Sequence, residues 1–186
     1  MTAQRLILPF DSDTRWQELG LDLQVAACSD APLLITGNRD AARLVARTIH
    51  DRSPSPRSAP FTIGQHATLF ETLASLSMQF RTAHGSTFLS TADHAPATLY
   101  VDEVDRLTPD AQDILLYFLE VTHGSPAANQ PVRLVTATTG HLADRVAAGE
   151  FREDLFYRLN VVHLALPKGW GANGTQIQAL LSSLPV

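Results

Sequence analysis

Four short, mostly apolar runs dominate the chain: Leu33-Leu34-Ile35, Thr98-Leu99-Tyr100-Val101, Val132 to Ala137 and Val161 to Leu164, the last two interrupted by Arg133 and His163. Side chains alternate above and below a sheet, so an unbroken apolar run suits a strand covered on both faces. Phe61-Thr62-Ile63 is a fifth, weaker candidate. The chain between them has helical spacing. Trp16, Leu19, Leu23 and Ala26/Ala27 share a face within Thr14 to Ser29, with Asp13 as the expected cap. Leu44, Val45, Thr48 and Ile49 do so within Asp40 to His50, and Ile114, Leu115, Phe118 and Leu119 after Pro109. Further helices are predicted near 68–81, 142–148 and 153–159, with a closing helix from Thr175 to Leu184. Asp51 to Pro60, with three prolines and three serines, reads as a loop, and Gly85 to Pro96 stays unassigned. Strands alternating with helices predict βαβ units, hence an α/β fold with a parallel sheet between two helical layers.

Composition narrows the classes of function. A chain of 186 residues, 45% hydrophobic and 18% charged, suits one globular domain spanning 1–186. A net charge of −5 gives no basic stripe for nucleic acid, so direct DNA binding is not expected. The single Cys28 excludes an internal disulfide framework, fits a reducing cytoplasm, and reads as a small core residue at a helix end. No run approaches the roughly 18 apolar residues of a membrane span, and the apolar stretch before Asp11 is too short for a signal peptide. The seven histidines lack metal-ligand spacing.

Ligands of open α/β sheets sit at the carboxyl ends of the strands. Asp102-Glu103 closes the run TLYV there. In a nucleotide hydrolase such a pair holds Mg²⁺ and orients water, while the plainer reading is a solvated acidic turn. The other chemical end is Thr36-Gly37, leading through Asn38-Arg39-Asp40-Ala41-Ala42-Arg43 into a helix. A phosphate-binding loop lies in such a strand–turn–helix unit. The pattern GxxxxGK[ST] needs a second Gly, a Lys and a hydroxyl, and none is present. By residue chemistry this turn is a plain connection, to which Arg39 or Arg43 adds positive charge.

Four blocks carry a family resemblance. LLITGNRDAARLVARTIH (33–50) resembles the first strand, Walker A segment and following helix of the central AAA+ domain of sigma-54-dependent transcription activators. ATLYVDEVDRLTPDAQDILLYFLE (97–120) is similar to that family's Walker B strand and helix, and VRLVTATTGHL (132–142) to its sensor I strand. FREDLFYRLNVVHLALP (151–167) resembles its arginine-finger segment along its whole length. The blocks keep the family's order and nearly its spacing over about 14–181, with a core at about 14–167. The resemblance implies a P-loop NTPase-like (AAA+) domain in which Asp102 matches the metal-coordinating Asp and Glu103 the catalytic Glu. It implies ATP and Mg²⁺ as cofactors and an oligomer, with Arg152 and Arg158 reaching a neighbouring subunit. The plainer reading of these two arginines is a salt-bridged helix with Glu153 and Asp154 as local partners.

The chain also departs from that pattern. Walker A is one residue short, with Ala41, Ala42 and Arg43 where Gly, Lys and an acidic or hydroxyl residue would fall. Thr139 replaces the sensor Asn, and Gln65 an Asn that restrains the catalytic Glu. The sigma-contacting loop has no counterpart in 69–96, the lid is expected to be reduced to its first helix at 175–184, and no helix-turn-helix is expected to follow. The expected nucleotide contacts are Gly37, Asn38, Arg39, Arg43 and Thr139. Three functions remain open. One is a regulatory or interaction module in transcription with weak or no ATP hydrolysis, whose partner is itself or an intact AAA+ activator. The second is a working ATPase, and the third is an interaction protein unrelated to sigma-54.

Overall fold

The computed structural model describes residues 12–52, 60–75, 98–123 and 132–167, with backbone alone at 12–18 and 121–123. Five parallel strands form its sheet: β1 (Leu33–Thr36), β2 (Phe61–Gly64), β3 (Thr98–Val101), β4 (Arg133–Thr138) and β5 (Val162–Ala165). The helices are α1 (Ser12–Cys28), α2 (Arg39–Arg52), α3 (69–75), α4 (Pro109–His123), α5 (Leu142–Ala147) and α6 (Glu153–Leu159). Every predicted strand is present to within a residue or two at its ends. The predicted closing helix 175–184, the segment 85–96 and the far end of the 68–81 helix lie outside the described residues.

The strand order is β2-β3-β4-β1-β5. Leu33 lies opposite Val135 on one side and Val162 on the other, so β1 is central. Chain leaving β1 runs out to β2 at one edge, whereas chain leaving β4 passes β1 to reach β5 at the other. The neighbouring ends of β1 and β4 therefore form a topological switch point, where a crevice opens. All of β3 and β4 is buried, while β2 and β5 are partly exposed, which explains why β2 was the weakest apolar run.

Alternation along each strand feeds two cores. Leu33, Ile35, Tyr100, Val135, Ala137 and Leu164 pack with α1 and α2 on one face. Leu34, Leu99, Val101 and Leu134 pack with α3, α4, α5 and α6 on the other, completing three layers. Three local expectations are corrected. The buried face of α2 is Ala41, Ala42, Val45, Ala46 and Ile49, and Leu44 is 39% exposed. Three alanines let the helix lie close to the sheet, which turns Leu44 outward. Cys28 is exposed, not core, because the buried stripe of α1 ends at Ala26. Asp13 lies within helix α1 rather than before it.

A charged residue opens a wholly buried strand. Arg133 is 2% exposed, and its guanidinium donates to the carbonyl of Ala26 near the C-terminus of α1. Burial makes its proton easier to lose, and the charge of Asp30 opposes that. The negative end of the helix dipole and the free carbonyls of its last turn favour a cation at this position.

Between β1 and α2 stand only Gly37 and Asn38. The Gly37 amide donates to the Thr138 carbonyl at 3.0 Å, and the Leu166 amide to the Thr36 carbonyl at 2.7 Å. Gly37 has a φ of 144°, and a Cβ there would lie 2.7 Å from the Leu166 Cβ. Gly37→Ala is therefore expected to cost about 1–3 kcal/mol in urea unfolding. Gly20→Ala, within α1 and with nothing inside 4 Å of the added Cβ, is expected to gain about 0.5–1 kcal/mol. Equal effects at the two sites would show that the Gly37 turn is not tight.

Candidate functional site

The turn after β1 is closed from within. Asn38 Oδ1 accepts from the amides of Asp40 at 3.0 Å and Ala41 at 3.1 Å, while its carbonyl accepts from Ala42 at 2.9 Å. This is an N-cap, which satisfies the amides that a helix start otherwise offers to an anion. Ala41 and Ala42 are buried in the core under α2. Two residues of turn, Gly37 and Asn38, separate β1 from α2.

The acidic pair lies across from it at the end of β3. Asp102 pairs with Arg39 Nε, accepts the Glu103 amide at 2.9 Å, and receives His66 Nε2 on its carbonyl at 2.7 Å. Glu103 is 3.7 Å from Arg39 and 3.1 Å from Arg106. Its φ is 45°, the one positive value among the described non-glycine residues. That conformation costs about 1–2 kcal/mol for an L-residue, and the Glu103 amide bond and the two arginine contacts hold it in place. Hydrogen bonding to Asp102, then the charges of Asp102 and Glu103, make the Arg39 proton harder to remove. Both carboxylates thus have arginine counter-ions from their own chain.

Behind the pair, Tyr100 is fully buried, and its hydroxyl has no hydrogen bond of normal geometry. Burial first, then the nearby Asp102 charge, pushes its ionisation upward, so the hydroxyl stays protonated. Together Arg39, Arg43, Tyr100, Asp102 and Glu103 line a cleft of about 310 Å³ whose far wall is 63–66 of β2 and its following turn. Among the described residues no three His, Cys, Asp or Glu side chains are grouped to hold a metal.

Of the expected nucleotide contacts, Arg39 and Arg43 line this cleft, whereas Gly37, Asn38 and Thr139 do not. Thr139 is exposed beyond the end of β4. Its neighbour Thr138 is the engaged residue, donating to buried Asp105 at 2.6 Å and accepting the Gly140 amide at 3.1 Å. That bond ties the end of β4 to the turn after the acidic pair. The repeated acid in Val101-Asp102-Glu103-Val104-Asp105 was its only sequence signal. His66 had none.

Arg152 and Arg158 stand elsewhere, at the two ends of α6. Arg152 binds Asp113 of α4 at 2.6 Å and Asp154 at 2.7 Å, and Arg158 binds Glu120 of α4 at 3.3 Å. Asp154 is thus a local partner as expected, and the remaining partners come from α4. Hydrogen bonds to Asp154 and Asp113 hold the Arg152 proton more firmly than usual. Buried Gln112 sets the position of Arg152: its Oε1 accepts the Arg152 amide at 2.9 Å, and its Nε2 donates to the carbonyls of Leu107 and Glu150. Neither arginine lines the cleft in its own chain.

Comparison with known proteins agrees with this architecture. The chain is 33% identical over 174 residues to a Nif-specific regulatory protein of Herbaspirillum seropedicae, covering 81% of this chain and 30% of that protein. It is 34% identical over 151 residues to the DNA-binding transcriptional regulator NtrC of Rhizobium meliloti, covering 75% and 31%. The chain thus spans less than a third of either relative. The crystal structure of NtrX from Brucella abortus in complex with ATP superposes with a TM-score of 0.62 at 26% identity, covering 90% of this chain and 40% of NtrX. The P-loop NTPase domain of a sigma-54 transport activator from E. coli shares the fold, with a TM-score of 0.53 at 18% identity, covering 82% and 96%. With residues 10–165 matching the sequence profile of the Sigma-54 interaction domain, and a sheet ordered as described, the chain belongs to the sigma-54 interaction domain family and has its AAA+, P-loop NTPase fold.

Proposed function

We propose that this chain is a regulatory or interaction module in transcription control, a single domain whose ATP hydrolysis is weak or absent. The observation that carries the reading is the two-residue turn between β1 and α2, whose amides Asn38 already caps. Phosphate binding at a helix start depends on free, converging amides and on glycines that let the backbone approach. Mg²⁺ held by Asp102 would meet Arg39, whose guanidinium is paired with that carboxylate. No hydrolytic step is assigned to Asp102 or Glu103 on this reading.

What remains is a surface for protein partners, a second copy of the chain or an intact AAA+ activator. Arg152 and Arg158 are exposed and are held by exposed carboxylates of α4 and α6. Solvent screens such pairs and makes them weak, so a partner's anionic group can take the guanidinium over. A cytoplasmic location goes with this role. No helix among the described residues is long and apolar enough to cross a membrane.

A second reading is an ATP-binding enzyme. The ATP complex of Brucella NtrX favours it, with Arg39 or Arg43 supplying charge in place of Lys. Calorimetric titration of the full chain with ATP and Mg²⁺ decides between the two. The first reading expects no saturable heat up to millimolar nucleotide, and the second a hyperbolic isotherm. Replacing Arg152 and Arg158 together with Ala is expected to abolish association with itself or with a purified intact activator, measured by sedimentation, while leaving the far-UV circular dichroism unchanged. Unaltered association would remove these arginines from the interface.

A further inference from the structure

All four carboxylate oxygens of the acidic pair are engaged by the chain itself. Asp102 Oδ1 accepts the Glu103 amide at 2.9 Å, and Asp102 Oδ2 pairs with Arg39 Nε. Glu103 Oε1 lies 3.1 Å from Arg106 Nη1, and Glu103 Oε2 lies 3.7 Å from Arg39 Nη1. One guanidinium therefore spans one oxygen of each carboxylate. The charges balance, two arginines against two carboxylates. The carboxylates are the covered side of the contact, with side chains 16% and 20% exposed against 57% for Arg39.

Two neighbouring carboxylates repel each other, and a cation between them relieves the repulsion. A divalent ion does so by taking an oxygen from each, and Mg²⁺ is commonly held by one or two carboxylates with water completing its shell. Asp102 Oδ2 and Glu103 Oε2 are the two oxygens open to such an ion, and Arg39 uses both. Arg39 is the first residue of α2, held there by the turn that Gly37 and Asn38 form. A counter-ion on the same chain acts at an effective concentration on the order of millimolar. A metal ion has to compete with it. The same contact steadies Glu103, whose backbone is in the left-handed region.

We propose that Arg39 is a built-in replacement for a divalent cation at the acidic pair: its guanidinium bridges Asp102 and Glu103, neutralises them and keeps metal from the end of β3. The proposal rests on the reading of the chain as a weak or inactive hydrolase, and it names the side chain that disables the acidic end of the site. Removing Arg39 alone frees one oxygen on each carboxylate and turns the pair into a cation site.

The test uses the full chain without nucleotide, titrated with Mn²⁺ while free Mn²⁺ is read by electron paramagnetic resonance. Thermal unfolding is followed with and without the ion. Arg39→Gln is expected to bind Mn²⁺ about tenfold or more tightly than the wild type, the scale of one charge-assisted contact. Its Tm is expected to fall and to recover with Mn²⁺, while the wild-type Tm does not respond. Arg39→Lys keeps the charge but lacks the fork that reaches both carboxylates, and is expected to lie between the two. Adding Asp102→Asn to Arg39→Gln is expected to abolish the gain, which locates the ion. Arg43→Gln removes an equal charge one turn along α2, and solvent screening is expected to hold its Mn²⁺ affinity within about twofold of the wild type. The proposal is overturned by Mn²⁺ binding to Arg39→Gln no tighter than to the wild type, or by a gain that survives Asp102→Asn. An equal gain in Arg43→Gln also overturns it, because the effect is then one of net charge. Every titration here lacks nucleotide, so saturable ATP binding by the wild-type chain counts against the preceding functional reading alone, and the two failures are told apart.

Discussion

Arg39 reaches from the first turn of α2 to Asp102 and Glu103 at the end of β3, and this contact organises the ligand-facing edge of the sheet. It is available because Gly37 and Asn38 alone connect β1 to α2, so the helix starts close against the sheet. Gly37 has no Cβ to collide with Leu166, and Asn38 closes the helix start. The acidic pair beside that turn has cationic partners from its own chain, Arg39 and Arg106. The strained Glu103 backbone is held in the same network.

The candidate site residues divide between the two faces of the sheet. The cleft with Tyr100, Arg43 and the acidic pair lies on the side of α2, while Arg152 and Arg158 belong to the α4–α6 layer. Two buried polar residues connect these regions to the fold. Asp105 bonds Thr138 at the end of β4, and Gln112 clamps the start of α6. Polar side chains at such depth need partners, because leaving them unpaired is costly. Each therefore fixes the geometry of a turn that carries exposed charged groups.

The sequence by itself determined the strands, most of the helices, their alternation and the acidic end of β3. These follow from local periodicity, since a strand buried on both faces must be apolar throughout and an amphipathic helix must repeat near 3.6 residues. The lack of the glycines and lysine of a phosphate loop was equally legible, being a matter of residue type. Tertiary structure alone decided which charges meet. Arg39 and Asp102 are 63 residues apart in sequence, Arg152 and Asp113 39, and Thr138 and Asp105 33. It also turned Leu44 and Cys28 to the surface and set the buried Tyr100 hydroxyl near Asp102. Strand order and helix placement set those separations in space, and no local pattern along the chain encodes them.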